Sequence, residues 1–253
     1  MTGTILNIIT VLIGGALGLL FGARLSENLK KTVVAGMGLF TFGLGVQMFL
    51  ATDNSLIVLG ALLIGILLGE WWRIEDRLQG FGEKLEKRFA GSGESEAETG
   101  ADGKSRFVRG FLTSSLLFCV GPLTILGSIQ DGLDGNFSAL AVKSVLDGFA
   151  AMAFASSLGG GVLFSTIVIL VFQGGISLTA MQVQSMLTLQ LSPELVEKIT
   201  LPYINELTAT GGVILMGLAL SSLLEIKKIR TGNFLPALAV APLIVWILNL
   251  LRL

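Results

Sequence analysis

The stretch FCVGPLTILGSIQDGLDGNFSALAVKSVLDG, Phe118 to Gly148, decides the fold. It opens as an apolar helix and breaks at Gly121-Pro122. It then carries Gln130, Asp131, Asp134, Lys143 and Asp147 in or beside apolar sequence. Ionisable groups at bilayer depth are costly, so they mark candidate functional sites.

Working outward, the rest of the chain has the same character. Of 253 residues, 52% are hydrophobic and 14% charged, and the mean hydropathy is +0.81. Soluble domains carry about 25% charged residues, so this chain has too little polar surface to face water. Its 33 glycines suit close helix packing in lipid. With no histidine, Ser-His-Asp and Cys-His catalysis and histidine metal sites are excluded. One cysteine, Cys119, excludes an intrachain disulfide and a multi-cysteine cluster. Its apolar surroundings suit an inert buried thiol. The net charge of −1 comes without a basic block, which argues against a nucleic-acid partner. No catalytic residue, metal site or cofactor is expected.

A membrane helix needs about 20 mostly apolar residues. Eight stretches qualify: Thr4–Ala23, Thr32–Ala51, Ser55–Trp72, Phe107–Ile129, Ser138–Leu158, Val162–Ala180, Tyr203–Leu224 and Phe234–Leu251. The first has no basic flank and continues past Phe21, so it reads as a span rather than a secretory signal. The expected fold is therefore an all-α polytopic transmembrane bundle, glycine-rich, with one broken helix. Its parts are an N-terminal bundle (1–73), a connecting segment (74–106) and a C-terminal bundle (107–253).

Basic residues favour the cytoplasm. Arg24, Lys30 and Lys31 follow the first span, Arg73 to Arg109 flank the third loop, and Lys227, Lys228 and Arg230 follow the seventh span. These loops share one side, so both termini are expected outside the cytoplasm of a bacterial inner membrane. Arg252 alone votes against this.

Between spans three and four, Ile74, Leu78, Phe81, Leu85 and Phe89 form one apolar helical face. That face suits the membrane interface or a neighbouring helix. The acidic, small-residue run Gly91–Ser105 is expected to be a disordered linker. Ser192-Pro193-Glu194 reads as the start of a short helix that Pro202 ends. Two internal matches compete. LSENLKK (Leu25–Lys31) against LSPELVEK (Leu191–Lys198) implies an inverted repeat, while Phe40–Gly65 against Phe118–Gly148 implies a parallel one.

The polar candidates each have two readings. Gly121-Pro122 is either a broken helix facing a polar cavity or a simple kink. Gln130 and Asp131 form either a solvated outer mouth or a cation entrance. Lys143 and Asp147 share a helix face; they fix helix orientation, or Asp147 binds a cation or cycles a proton with Lys143 as a tethered competitor. Asn205, Glu206, Thr208 and Thr210 precede Gly211-Gly212 and either coordinate a small ion or solute or cap a helix. Gly14, Gly18, Gly22, Gly36, Gly38, Gly43, Gly45, Gly65 and Gly69 form small-residue packing faces that also allow a homo-oligomer. Gln173 is expected to bond between helices.

Four segments, CVGPLTILGSIQDGL (Cys119–Leu133), KSVLDGFA (Lys143–Ala150), NELTATGG (Asn205–Gly212) and IKKIRTGNFLP (Ile226–Pro236), together resemble the YqgA/YdfK-like family of bacterial membrane proteins. The resemblance covers the whole chain and implies an integral membrane protein with no settled function, so no family residues carry over. The functional expectation is a transporter or channel for a small cation or small solute, with a polar site between spans four, five and seven. The alternative is a scaffold or regulatory subunit held together by glycine faces.

Overall fold

The computed structural model describes residues 1–22, 24–89, 105–133, 135–186 and 193–251. Most of the expected linker (all but Ser105), together with Asp134, Ser192 and Arg252, lies outside the described residues. The described chain is helical throughout: α1 (Thr2–Gly22), α2 (Glu27–Phe49), α3 (Ser55–Trp72), α4 (Ile74–Phe89), α5 (Arg106–Cys119), α6 (Pro122–Leu133), α7 (Ser138–Leu158), α8 (Ser165–Met186), α9 (Pro193–Leu218) and α10 (Ala237–Leu251). Short 3-10 turns precede α8 and α10, and a π turn (Ala219–Leu223) follows α9.

Seven of these helices, some with an adjoining turn, are long and apolar enough to cross a membrane, and the bent pair α5–α6 makes eight. The surface confirms the medium. On α1 the buried face holds Thr4, Asn7, Gly14, Gly18 and Gly22, while Ile5, Ile9, Ile13, Leu20 and Phe21 face outward. Leu67 and Trp71 on α3, Phe149 on α7, Val171 on α8 and Leu250 on α10 do the same. Small and polar groups inside, with large apolar groups outside, reverse the arrangement of a soluble protein. This is a polytopic membrane bundle.

Glycine sets which helices meet. A Cβ at Gly14, Gly18 or Gly22 would collide with the backbone carbonyls of Gly148, Met152 and Ser156 in turn. The numbers rise together, so α1 and α7 run parallel. Gly45 and Gly212 each meet the other's carbonyl, while Gly38 faces Leu223 and Leu224. Thus α2 and α9 run antiparallel. Gly65 packs on Ala237 and Gly69 on Asn233, which pairs α3 antiparallel with α10.

These pairings cross the expected boundary between the N-terminal and C-terminal bundles. The main partners of α1, α2 and α3 are α7, α9 and α10. The first three spans therefore lack a core of their own. Their glycine faces fit C-terminal helices more closely than they fit each other.

The pairings also decide what the break in span four does. At its start, Arg106 reaches Glu27 at the beginning of α2 (2.9 Å). At its end, Asp131 accepts the Gly3 amide at the beginning of α1 (3.1 Å). So α5 and α6, bent by 61°, carry the chain from the Glu27 end of the bundle to the Met1 end. They form one broken span, and α7 then starts where a helix parallel to α1 must start.

The amphipathic segment becomes α4, which packs on α5 rather than standing apart. Leu78 and Leu85 lie against the Phe107, Val108, Phe111 and Leu112 cluster, and the Phe81 and Phe111 rings are 5.9 Å apart. The expected stop at Pro202 does not occur. One helix runs from Pro193 to Leu218 with Pro202 inside it. Proline removes one amide donor, a loss that a membrane helix tolerates where neighbours or water satisfy the freed carbonyl.

Candidate functional site

The break in span four is built locally. Val120, extended at ψ 95°, ends α5. Pro122 then opens α6 at the first helical position, where its missing N–H costs nothing. Thr124 Oγ1 donates back to the Phe118 carbonyl (3.1 Å), and the Gly121 carbonyl accepts the Thr124 amide (3.1 Å). Ser128 Oγ donates to the Thr124 carbonyl (2.5 Å). Side-chain hydroxyls thus satisfy part of what the broken ladder frees.

Around this break the structure assembles a polar cluster from α1, α6, α7 and α8. Asp147 lies near the middle of α7, and its Oδ2 pairs with the Lys143 ammonium one turn earlier. The same oxygen accepts Asn7 Nδ2 from α1 (2.9 Å). Asn7 Nδ2 also reaches Gln173 Oε1 on α8 (3.0 Å). The Lys143 ammonium stands 5.9 Å from the centre of the Phe118 ring, whose residue ends at the break. All five residues are buried. One turn toward the Met1 end, the Asp131 carboxylate is buried as well, and its Oδ2 lies 3.1 Å from both the Gly3 amide and the Met1 amino nitrogen. Ser177 Oγ ties α8 to the Ser128 carbonyl of α6 (3.0 Å).

Four atoms of this cluster are buried without a hydrogen-bond partner: Thr4 Oγ1, Asn7 Oδ1, Asp131 Oδ1 and Gln173 Nε2. Buried polar groups normally find partners.

The other sequence candidates lie elsewhere. Glu206, at the Met1 end of α9, clamps the turn between α2 and α3. Its Oε2 accepts Thr52 Oγ1 (2.7 Å), and its Oε1 accepts the amides of Asp53 (3.0 Å) and Asn54 (2.9 Å). Asn205 Nδ2 donates to Asp53 Oδ2 (3.0 Å). Thr210 Oγ1 bonds back to the Glu206 carbonyl (2.7 Å), and Thr208 is buried beside it. The single site between spans four, five and seven therefore divides in two. Glycine contacts align α7 on α1 and α9 on α2, and α5 runs between them, touching both. Asp131 and Gln130 also depart from the solvated-mouth reading. Asp131 is buried against α1, and Gln130 is half-buried beside it.

Sequence reasoning missed Asn7 and Thr4. The available signal was their spacing. Thr4, Asn7, Val11, Gly14, Gly18 and Gly22 recur at intervals of three and four, so the two polar residues share the glycine stripe that faces the protein. Gln173 was expected to bond between helices, and it does.

A third polar group joins loops at the Glu27 end. A Glu75 carboxylate oxygen accepts the Gly232 amide (2.7 Å), and Asn233 Oδ1 accepts the Glu75 amide (2.7 Å). Arg230 bridges Glu70 (3.0 Å) and Asp76 (2.5 Å). The Arg73 guanidinium first, and Arg230 second, hold the exposed Asp76 carboxyl below its ordinary value. No group of three or more metal-binding acids, histidines or cysteines occurs among the described residues.

With this geometry in place, comparison with known proteins places the chain in a family. The family described as "Protein of unknown function (DUF554)" matches residues 2–246, and the chain belongs to it. The chain is 29% identical to "Uncharacterized membrane protein YdfK" of Bacillus subtilis (strain 168), covering 98% of this chain and 97% of that protein. It is 30% identical to "Uncharacterized protein YqgA" of Escherichia coli (strain K12), covering 94% of each. No solved structure matches.

Proposed function

We propose that this member of an uncharacterised membrane-protein family is a bacterial inner-membrane transporter or channel for a small cation or small solute. Its polar path runs through the cluster formed by α1, α6, α7 and α8. One observation carries the reading: the Lys143–Asp147 pair is buried on the first half of α7, with Asp147 near its middle, together with Asn7 and Gln173. A charge at the helix centre costs about 2.5–3.5 kcal/mol on insertion scales, and buried ion pairs are weak stabilisers. Adhesion between α1 and α7 has no need of them, because glycine contacts already join the two helices along most of their length. On this reading the chain is no enzyme and needs no cofactor.

Orientation follows from charge. Arg24, Lys30, Lys31, Arg73, Arg77, Lys227, Lys228 and Arg230 gather at the Glu27 end. That end faces the cytoplasm by the positive-inside rule, and both termini face out. A homo-oligomer would use the outward face of α2, where Gly36 and Gly43 meet open space. The glycine faces of α1, the inner side of α2 and α3 are consumed within the chain, which weakens the scaffold alternative.

The test is flux of Na⁺, K⁺ and H⁺ in liposomes carrying the wild type or Asp147→Asn. Flux that falls at least tenfold in the variant supports the reading. No flux of any of these ions, or flux indifferent to Asp147, overturns the ion form.

A further inference from the structure

We infer that Thr4, Asn7 and Asp131 form a binding site for an alkali-metal monovalent cation, and that Lys143 is a tethered competitor for the same negative field. The inference deepens the transport reading and rests on it for its mechanism, by naming the class of ion.

The first observation is the donor set. Three buried oxygens lack partners: the Thr4 hydroxyl, the Asn7 amide oxygen and one Asp131 carboxylate oxygen. Thr4 and Asn7 are 0% exposed and Asp131 is 4% exposed, so bulk water does not satisfy them. They occupy one neighbourhood. Thr4 and Asn7 lie a turn apart on the buried face of α1, and Asp131 reaches the amide of Gly3, next to Thr4. Oxygen-only ligands suit hard cations, not soft transition metals. The set is neutral oxygens with a single carboxylate, whose other oxygen already faces the Met1 amino group (3.1 Å), so the site offers little negative charge beyond what one monovalent ion needs. Ca²⁺ takes about 6–8 oxygen ligands, more than these three.

The second observation is the setting of Lys143. Its ammonium lies against the Asp147 carboxylate and the Phe118 ring face. A carboxylate with an aromatic face is itself a cation-binding environment. Asn7 connects the two parts, since its Nδ2 donates to Asp147 Oδ2 while its Oδ1 stays unpartnered. A cation at Asn7 Oδ1 therefore sits one amide group away from the pair and repels the ammonium. A protein with this arrangement binds its ion weakly enough to release it, as conduction requires.

The experiment uses full-length protein purified in detergent, with equilibrium binding of radioactive Na⁺ and competition by K⁺ and Ca²⁺. Lys143→Met should tighten Na⁺ binding at least tenfold. Asp131→Asn and Thr4→Val should weaken it at least tenfold, while Thr4→Ser, which keeps the hydroxyl, stays within threefold of wild type. Thr41→Val removes an unpartnered buried hydroxyl from α2, outside the cluster, and should change nothing. Elution as a single species guards each variant against misfolding, and the Thr4 pair keeps the test open if Asp131→Asn does not fold. The site is overturned if wild-type protein binds no monovalent ion, if Ca²⁺ outcompetes Na⁺, or if neither Lys143→Met nor Thr4→Val shifts the affinity. Binding with the expected shifts but no liposome flux sinks the transport reading and leaves the site standing. Flux with a cation dependence indifferent to Thr4 and Lys143 does the reverse.

Discussion

Asp147 and Glu206 are both buried acids on apolar helices, and by sequence they look alike. Their surroundings separate them. Both Glu206 oxygens are in use, accepting one hydroxyl and two backbone amides from a single turn. Asp147 shares one oxygen between a lysine and an asparagine, in a cluster where four polar atoms lack partners. A carboxylate that receives several backbone amides is holding a loop. Unpartnered atoms beside a buried ion pair leave room for something further to bind. Burial of an acid in a membrane helix is thus only the first half of a functional argument; the second half is its list of partners.

The comparison can be broken most severely through the backbone that aligns the two regions. Gly14→Leu should abolish folded yield, because the new side chain meets the carbonyl of Gly148, which cannot yield like a side chain. The loss should exceed the roughly 1–3 kcal/mol of ordinary overpacking. Gly36→Leu, facing open space on α2, should purify like wild type in the same size-exclusion assay.

Next in size is the ion pair. Lys143→Met leaves Asp147 without its cation and should cost about 3–5 kcal/mol of stability, as for other broken buried pairs. Pairing it with Asp147→Asn should recover most of that stability but no flux. Recovery of flux in the double variant would assign the pair to structure, beside Glu206.

Glu206→Gln should do the opposite of Asp147→Asn. Its losses fall on the α2–α3 turn, about 1–3 kcal/mol for a weakened charge-assisted network, read as a lower thermal midpoint. Flux by the folded fraction should stay within twofold. A tenfold fall would bring α9 back into the path.

The smallest effect concerns Asp76 at the Glu27 end. Arg73, and then Arg230, depress its carboxyl below the ordinary 3.8. The sign follows: its contribution is full above the unfolded value and fades as pH falls through the lower folded one. Because the group is exposed, Asp76→Asn should shift the thermal midpoint only slightly at pH 7, and the difference from wild type should vanish in strong acid.

What the sequence by itself determined is the medium and the segments. Apolar length located the spans, since a helix must bury its own backbone bonds in lipid over about 20 residues. Gly121-Pro122 located the break to the residue, because proline acts locally on its own amide and turn. The same reasoning erred at Pro202, which lies inside α9 rather than ending it. Tertiary structure alone decided which polar residues meet. Asn7 and Asp147 are 140 positions apart, and nothing local to either one names the other. Their meeting depends on the parallel fit of α1 to α7. That fit comes from glycine surfaces whose complementarity exists only once two helices are in contact, and span lengths carry no trace of it.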